Sequence, residues 1–330
     1  MFLCLLAGCQ KQQEDSHVLL EKFRTLTREG QWQAILDDPG AKTSTHLLVR
    51  QCVNRALLHQ NLLSSRFFAM PQVWGQKSLM LPQEYGYLYP LAISDLYLDV
   101  GHVNAALHWA FEAQAADETD SWIDERLATV FLLKRKPVLT ERYLKPLENK
   151  PEFKETIATY REILNRPELL FQQPELAGIY NRMPVKDFII HNLFPEDDLL
   201  RLLEVNPGNR QAFEVLMTLY LCQKKLDLFM AQLYRMQTLG YGELPRHFEE
   251  AMLLYLARTQ VKNIPLQGFQ WHEPVVKEFR EFRRILQAYR QDADSLHKIL
   301  QTRYADTYWF YFLYHEDEQK LQDIPSLLRK

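Results

Sequence analysis

Leu91-Ala92-Ile93-Ser94-Asp95-Leu96-Tyr97-Leu98-Asp99-Val100-Gly101-His102-Val103-Asn104-Ala105-Ala106-Leu107-His108-Trp109-Ala110-Phe111-Glu112-Ala113 decides the fold class. Ser94, Tyr97, Gly101, Ala106 and Ala113 stand at the spacings of the 34-residue tetratricopeptide helix-turn-helix unit. A small residue lets two helices approach, and the aromatic three places on fills the space beside it. Glycine supplies the turn, and the two alanines lie where the second helix runs closest to its neighbours. With Gly101 at the turn, the unit runs from Tyr87 to Asp120. One period on, a unit opening at Ser121 has Ala128 and Phe131 in place, while Arg135 replaces the glycine and Thr140 the first alanine.

Fainter echoes lie on either side. Asn206-Pro207-Gly208-Asn209 resembles a unit-closing turn and is followed by Phe213 and Tyr220; Phe248 and Tyr255 repeat that spacing. Thr25-Leu26-Thr27-Arg28-Glu29-Gly30-Gln31-Trp32 reads as a helix end, a glycine turn and an aromatic opening the next helix. Any one of these is an ordinary amphipathic helix pair. Several near one period predict an all-α chain, a tetratricopeptide-like α-α superhelix built as a solenoid of antiparallel helix pairs.

Composition agrees. Only 11 glycines occur in 330 residues, and runs rich in Val, Ile or Thr are few, which leaves little material for sheets. A single core of this length would usually divide into domains, whereas each layer of a solenoid has its own. A net charge of −3 makes no electrostatic case for nucleic acid. The basic stretch from Lys277 to Arg284 alternates with acids and apolar residues, as a solvated helix face does.

Helical patterning is expected over 14–29, 31–37, 44–66, 85–99, 103–116, 121–134, 138–148, 152–165, 196–204, 209–222, 225–238, 245–259, 274–291 and 293–314. Two stretches break the rhythm: Ala69 to Gly86, and the proline-containing Arg166 to Asp187, where two sub-arrays of the 17–330 repeat region would meet.

The first nine residues form a separate element. Leu6-Ala7-Gly8-Cys9 matches the bacterial lipobox, in which the cysteine thiol receives a lipid, and residues 10–16 read as a polar tether. No basic residue precedes the apolar run, unlike an ordinary secretory signal. Residues 1–9 therefore read either as a signal with lipidation at Cys9 or as the remnant of a membrane helix. The run is too short to span a bilayer, which takes about 20 residues. Both readings place the repeat region beside a membrane, in the bacterial cell envelope and in the periplasm.

Asn54-Arg55-Ala56-Leu57-Leu58, the Leu91 to Ala113 segment, Asn192-Leu193-Phe194-Pro195 leading to Asn206-Pro207-Gly208-Asn209, and Asp306-Thr307-Tyr308-Trp309-Phe310-Tyr311 carry a resemblance. They resemble an uncharacterised family of gut-type Gram-negative bacteria in which a multi-helix membrane portion precedes a helical-repeat region. The resemblance covers nearly the whole chain after the tether and implies no catalytic residues. It favours the membrane-helix reading of the first residues.

No metalloprotease, nucleophile-elbow, phosphate-loop or dinucleotide motif is present in the sequence, and no catalytic residue, metal site or cofactor is expected. His102 and His108 fall on different faces of one helix, and the acids from Asp117 to Asp124 lack a calcium loop's glycine. Cys52 and Cys222 read as buried thiols. The aromatics from Tyr304 to Tyr314 read as the packing face of a terminal capping helix.

Partner recognition is expected at Trp74, Tyr85, Tyr87 and Tyr89, which flank a long proline-containing loop, and at Asp95 and Asp99. Asp95 and Asp99 occupy helix positions from which related repeats bind acidic peptide tails, and here they would repel them. The expected function is a non-catalytic, membrane-tethered scaffold that binds a protein or peptide partner. The alternative is a soluble appendage of a larger multi-pass membrane enzyme or transporter. The motif census disfavours a stand-alone enzyme.

Overall fold

The computed structural model describes residues 16–82, 85–86, 88–117, 119–184, 195–259, 261, 264 and 268–315. Helix α1 spans 16–28. It is followed by α2 (Trp32–Asp37), α3 (Pro39–Thr43), α4 (Leu47–His59), α5 (Leu63–Arg66) and α6 (Gln76–Leu79). Next come α7 (Pro90–Asp99), α8 (Val103–Ala116), α9 (Ser121–Leu133), α10 (Pro137–Leu144), α11 (Lys154–Asn165) and α12 (Pro174–Arg182). The chain continues through α13 (Pro195–Val205), α14 (Arg210–Cys222), α15 (Leu226–Gln232) and α16 (Arg246–Thr259). It closes with α17 (Glu273–Ala288), α18 (Ala293–Tyr304) and α19 (Tyr308–Tyr314). Among the described residues there is no strand. The fold is all-α and built from helical repeats.

Local chemistry starts these helices. Pro39, Pro90, Pro137 and Pro174 sit in first turns, where a missing N–H leaves no bond unmade. The side chains of Asp120, Asp292 and Thr307 accept from the backbone N–H of Trp122 (2.9 Å), Ser295 (3.0 Å) and Phe310 (3.2 Å), capping α9, α18 and α19.

Helix ends are more regular than the sequence suggested. At Gly30, Asn61, Gly101, Arg135 and Lys224 the backbone turns left-handed, with φ of 65°, 55°, 80°, 53° and 56°. Each closes the same pair of bonds: the residue after it donates to a carbonyl five residues back, as in His102 N to Tyr97 O at 2.8 Å and Lys225 N to Tyr220 O at 2.9 Å. This is the Schellman arrangement. It places the aromatics Tyr97, Phe131 and Tyr220 at one position, four residues before the turn.

Several expected helices prove to be two. The 44–66 pattern breaks at Gln60 to Leu62, where Leu62 N donates to Leu57 O at 2.8 Å through left-handed Asn61. The 293–314 pattern breaks before Thr307, whose hydroxyl caps α19. The 85–99 helix begins at Pro90, because proline favours the first turn. The 166–187 interruption holds a 3-10 turn (Pro167–Gln172) and α12.

Two compact units form. One comprises residues up to Leu79 together with those from Glu214 onward; the other is Met80–Phe213. In that second unit α7, α8, α9, α10 and α11 pack in succession. Ser94, Ala106 and Ala128 are fully buried there, and Ala113, Tyr97 and Phe131 nearly so. The repeat register read from the sequence is therefore the packing register. In the first unit α4 packs on α2, α3, α5 and α6, while α16 packs on α5, α15, α17 and α19. Tyr304, Tyr308, Trp309 and Tyr311 are buried in this core, with Phe282 against the Trp309 ring at 5.4 Å between centroids.

Candidate functional site

The described residues singled out from sequence are divided between the two units. Trp74 belongs to the first unit, half-buried, with its indole N–H donating to Thr45 O at 2.7 Å. Tyr85 and Tyr89 belong to the second, where Tyr85 O accepts from Tyr89 N at 2.9 Å just ahead of α7. Tyr87 and Cys9 lie outside the described residues. Asp99 is buried, which withdraws its carboxylate from any open groove of its unit. Asp95 is half-buried and paired with Arg126 of α9 at 2.5 Å.

That pair is one rung of a ladder. Tyr160 of α11 meets Thr129 Oγ1 at 2.6 Å, and its hydroxyl lies 3.1 Å from Glu125 Oε1 on α9. Burial holds the Tyr160 hydroxyl well above the usual phenol range. The first helices of three successive pairs thus bind one another through polar side chains, among them Asp95, Glu125 and Thr129 at the positions where related repeats bind peptide ends. His102 caps α8, its Nδ1 accepting from Ala105 N at 3.4 Å, while His108 is exposed. Cys52 and Cys222 are buried thiols.

Chemistry that the sequence did not signal gathers in the first unit around α14 and α16. Three buried glutamates each receive a backbone N–H at another helix's start. Glu214 accepts from Ser64 N (3.2 Å) in α5, Glu249 from His272 N (2.6 Å) ahead of α17, and Glu250 from Tyr308 N (2.8 Å) in α19. Carboxylates at helix N-termini are favoured by the exposed N–H groups and the helix dipole. Glu250 also accepts from Arg246 Nε and His247 Nδ1, both at 2.9 Å, and His247 Nε2 accepts from Phe68 N at 3.1 Å.

Glu249 does more than start a helix. Its second oxygen meets His272 Nδ1 at 2.7 Å, so one carboxylate holds both the backbone N–H and the imidazole of His272. The hydrogen bond that His272 donates to Glu249 raises the His272 pKa above its ordinary value, and burial raises that of Glu249 despite the same bond. The other imidazole nitrogen, Nε2, lies 3.6 Å from the carboxylate of Glu243, which is 82% exposed. These two residues share a cleft of about 320 Å³ with Gly242, Gly268, Phe269, Gln270 and Trp271. A Cβ built on Gly242 or Gly268 would meet nothing within 4 Å, so the cleft is open along the backbone there. The arrangement is an oriented imidazole beside aromatic walls and one solvated acid, suited to gripping a polar or charged group.

The clue in the sequence was faint. Gly240-Tyr241-Gly242-Glu243 and Gly268-Phe269-Gln270-Trp271-His272 are glycine- and aromatic-containing loops about one helix apart, and neither is a motif alone.

A family model described as a family of unknown function, DUF6057, matches residues 5–315. The chain belongs to this family. The DUF6057 match covers both units' described helices and the cleft residues. No curated protein matches the chain, and no solved structure does. Among the described residues of this DUF6057 member, no helix is long and apolar enough to cross a membrane. Among the same residues, no three His, Cys, Asp or Glu side chains group closely enough to hold a metal ion.

Proposed function

We propose that the chain is a non-catalytic helical-repeat scaffold that binds a protein or peptide partner in the envelope of a Gram-negative bacterium, held at the membrane through its N-terminus. The observation that carries the binding half is the cleft beside His272. Its aromatics and glycines lie on the loops that lead into α16 and α17, and its imidazole is fixed by a buried carboxylate. Preorganised aromatic-lined concavities favour partner side chains because little freedom is lost on binding. The membrane half rests on the apolar start ending in Cys9 and on the family resemblance.

A photoreactive benzoylphenylalanine in place of exposed Gln270 should crosslink one discrete partner in the native host. The same group at exposed Lys298 on α18 should not. Equal labelling from both positions, or none from Gln270, overturns the binding half. Fractionation of the full gene product tests the other half. Cys9→Ala should release a lipidated chain to the soluble fraction, whereas alkali-resistant attachment indicates a membrane helix. Recovery of the unaltered protein in the soluble fraction overturns tethering of either kind.

A further inference from the structure

We infer that the cleft beside His272 takes a guanidinium group, an arginine side chain of the partner; this rests on the scaffold reading above. Charge comes first. Glu243 presents a carboxylate that is 82% exposed, and its contact with His272 Nε2, at 3.6 Å, is too long for a hydrogen bond. The acid therefore keeps acceptor capacity for a ligand. Behind it, Glu249 is fully buried and already bonded to His272, so the acids of the site outnumber its one imidazole. An incoming anion would meet like charge.

Shape and chemistry then select the cation. Phe269 and Trp271 both line the cleft. A planar guanidinium stacks on aromatic rings and forks onto a carboxylate through two parallel N–H bonds, which a lysine ammonium cannot do. Space at Gly242 and Gly268 lets a ligand approach the backbone, and the Gln270 amide adds a further acceptor within the same wall. The back of the site is held in place, since His272 is both the residue preceding α17 and the partner of Glu249.

The test uses the full chain and a defined probe, N-acetyl-arginine amide, followed by saturation-transfer NMR on the probe's side-chain methylenes. Binding should be saturable. It should weaken about tenfold or more in Glu243→Gln, the usual consequence of losing hydrogen bonds to a charged group. The citrulline analogue, isosteric but neutral, should bind as weakly as that variant's ligand does. Because Glu243 is solvent-exposed, Glu243→Gln should melt like the wild type. Equal binding of arginine and citrulline probes, or an unchanged response in a folded Glu243→Gln, overturns the inference. If the Gln270 crosslink persists while the arginine probe fails, the guanidinium assignment is wrong and the scaffold reading stands; loss of both overturns both.

Discussion

Ser94 Oγ donates to the carbonyl oxygen of Ala106 at 2.7 Å, joining α7 to α8 where both residues are completely buried. A side chain as short as serine reaches a neighbouring helix's backbone only when the two helices run unusually close. The alanine opposite makes that approach possible. Ala106→Leu should overpack the contact and cost about 1–3 kcal/mol. Ser94→Ala removes only the hydrogen bond and should cost about 0.5–1.5 kcal/mol. Urea denaturation of both variants checks the order, and an Ala106→Leu protein as stable as wild type would remove the basis for the repeat register.

The turn after α7 makes a second prediction. Gly101 has φ of +80°, and a Cβ there would come within 2.6 Å of Arg182 Cβ and 2.8 Å of the Arg182 carbonyl. Gly240 has φ of +69° with nothing within 4 Å of its would-be Cβ. Gly240→Ala should therefore show the backbone cost alone, about 1–2 kcal/mol. Gly101→Ala should cost more, because backbone atoms must also move. Melting temperatures that fall equally in the two variants would contradict the close approach at Arg182.

The repeat was legible because its determinants are local. Ser94, Tyr97, Gly101, Ala106 and Ala113 lie within one helix pair, and each does there what its size and backbone freedom allow. The same turn recurs at Asn61, Arg135 and Lys224, where no glycine marks it. Tertiary contacts accompany two of those strained positions. Lys224 Nζ donates to His315 O at 2.7 Å, beside the end of α19, and the Arg135 guanidinium lies 5.2 Å from the Tyr180 ring. No spacing rule exposes such partners. The cleft was hidden for a similar reason: Glu249 and His272 are far apart in sequence and meet only because α16 packs on α17. Asp95 and Asp99 were placed on the right helix, but their surroundings depend on Arg126 and on burial.

Glu250 ties α19 to α16. Its carboxylate is fully buried and accepts from Arg246, His247 and Tyr308 N, while its backbone oxygen accepts from Trp309 Nε1 at 2.9 Å. Glu250→Ala would strand Arg246, His247 and Tyr308 N while leaving Trp309 its backbone acceptor; unpaired buried donors cost about 1–3 kcal/mol each, less at the partly solvated Arg246. Glu250→Gln keeps an acceptor for Tyr308 N and should lose less. Hydrogen exchange should show the amides of α19 opening first in the alanine variant; protection in α19 equal to wild type would contradict the docking role assigned to Glu250.

The Glu249–His272 pair should make stability depend on pH in a definite direction. His272 has its pKa raised in the folded chain, chiefly by the hydrogen bond it donates to Glu249, above an ordinary value of 6.5. A cation stabilised in this way contributes fully below that ordinary value and loses its contribution as pH rises through the folded pKa. Burial raises the Glu249 pKa above its ordinary 4.5, so the folded chain holds that proton longer than the unfolded one and is destabilised as pH rises through the interval between the two values. Both groups therefore favour the folded state at the acid side. Glu243, Glu249 and Glu250 are the acids that bear on the pair, through His272 or through Glu249. Because His272 is partly solvated, the effect is screened and smaller than a buried pair would give. Urea midpoints measured from pH 5 to pH 9 should show wild type losing stability relative to Glu249→Gln as pH climbs above about 6.5. The variant cannot hold His272 in its charged form by the same bond, so its own pH dependence in that range should flatten. Parallel curves for the two proteins would mean that the pair does not couple protonation to folding.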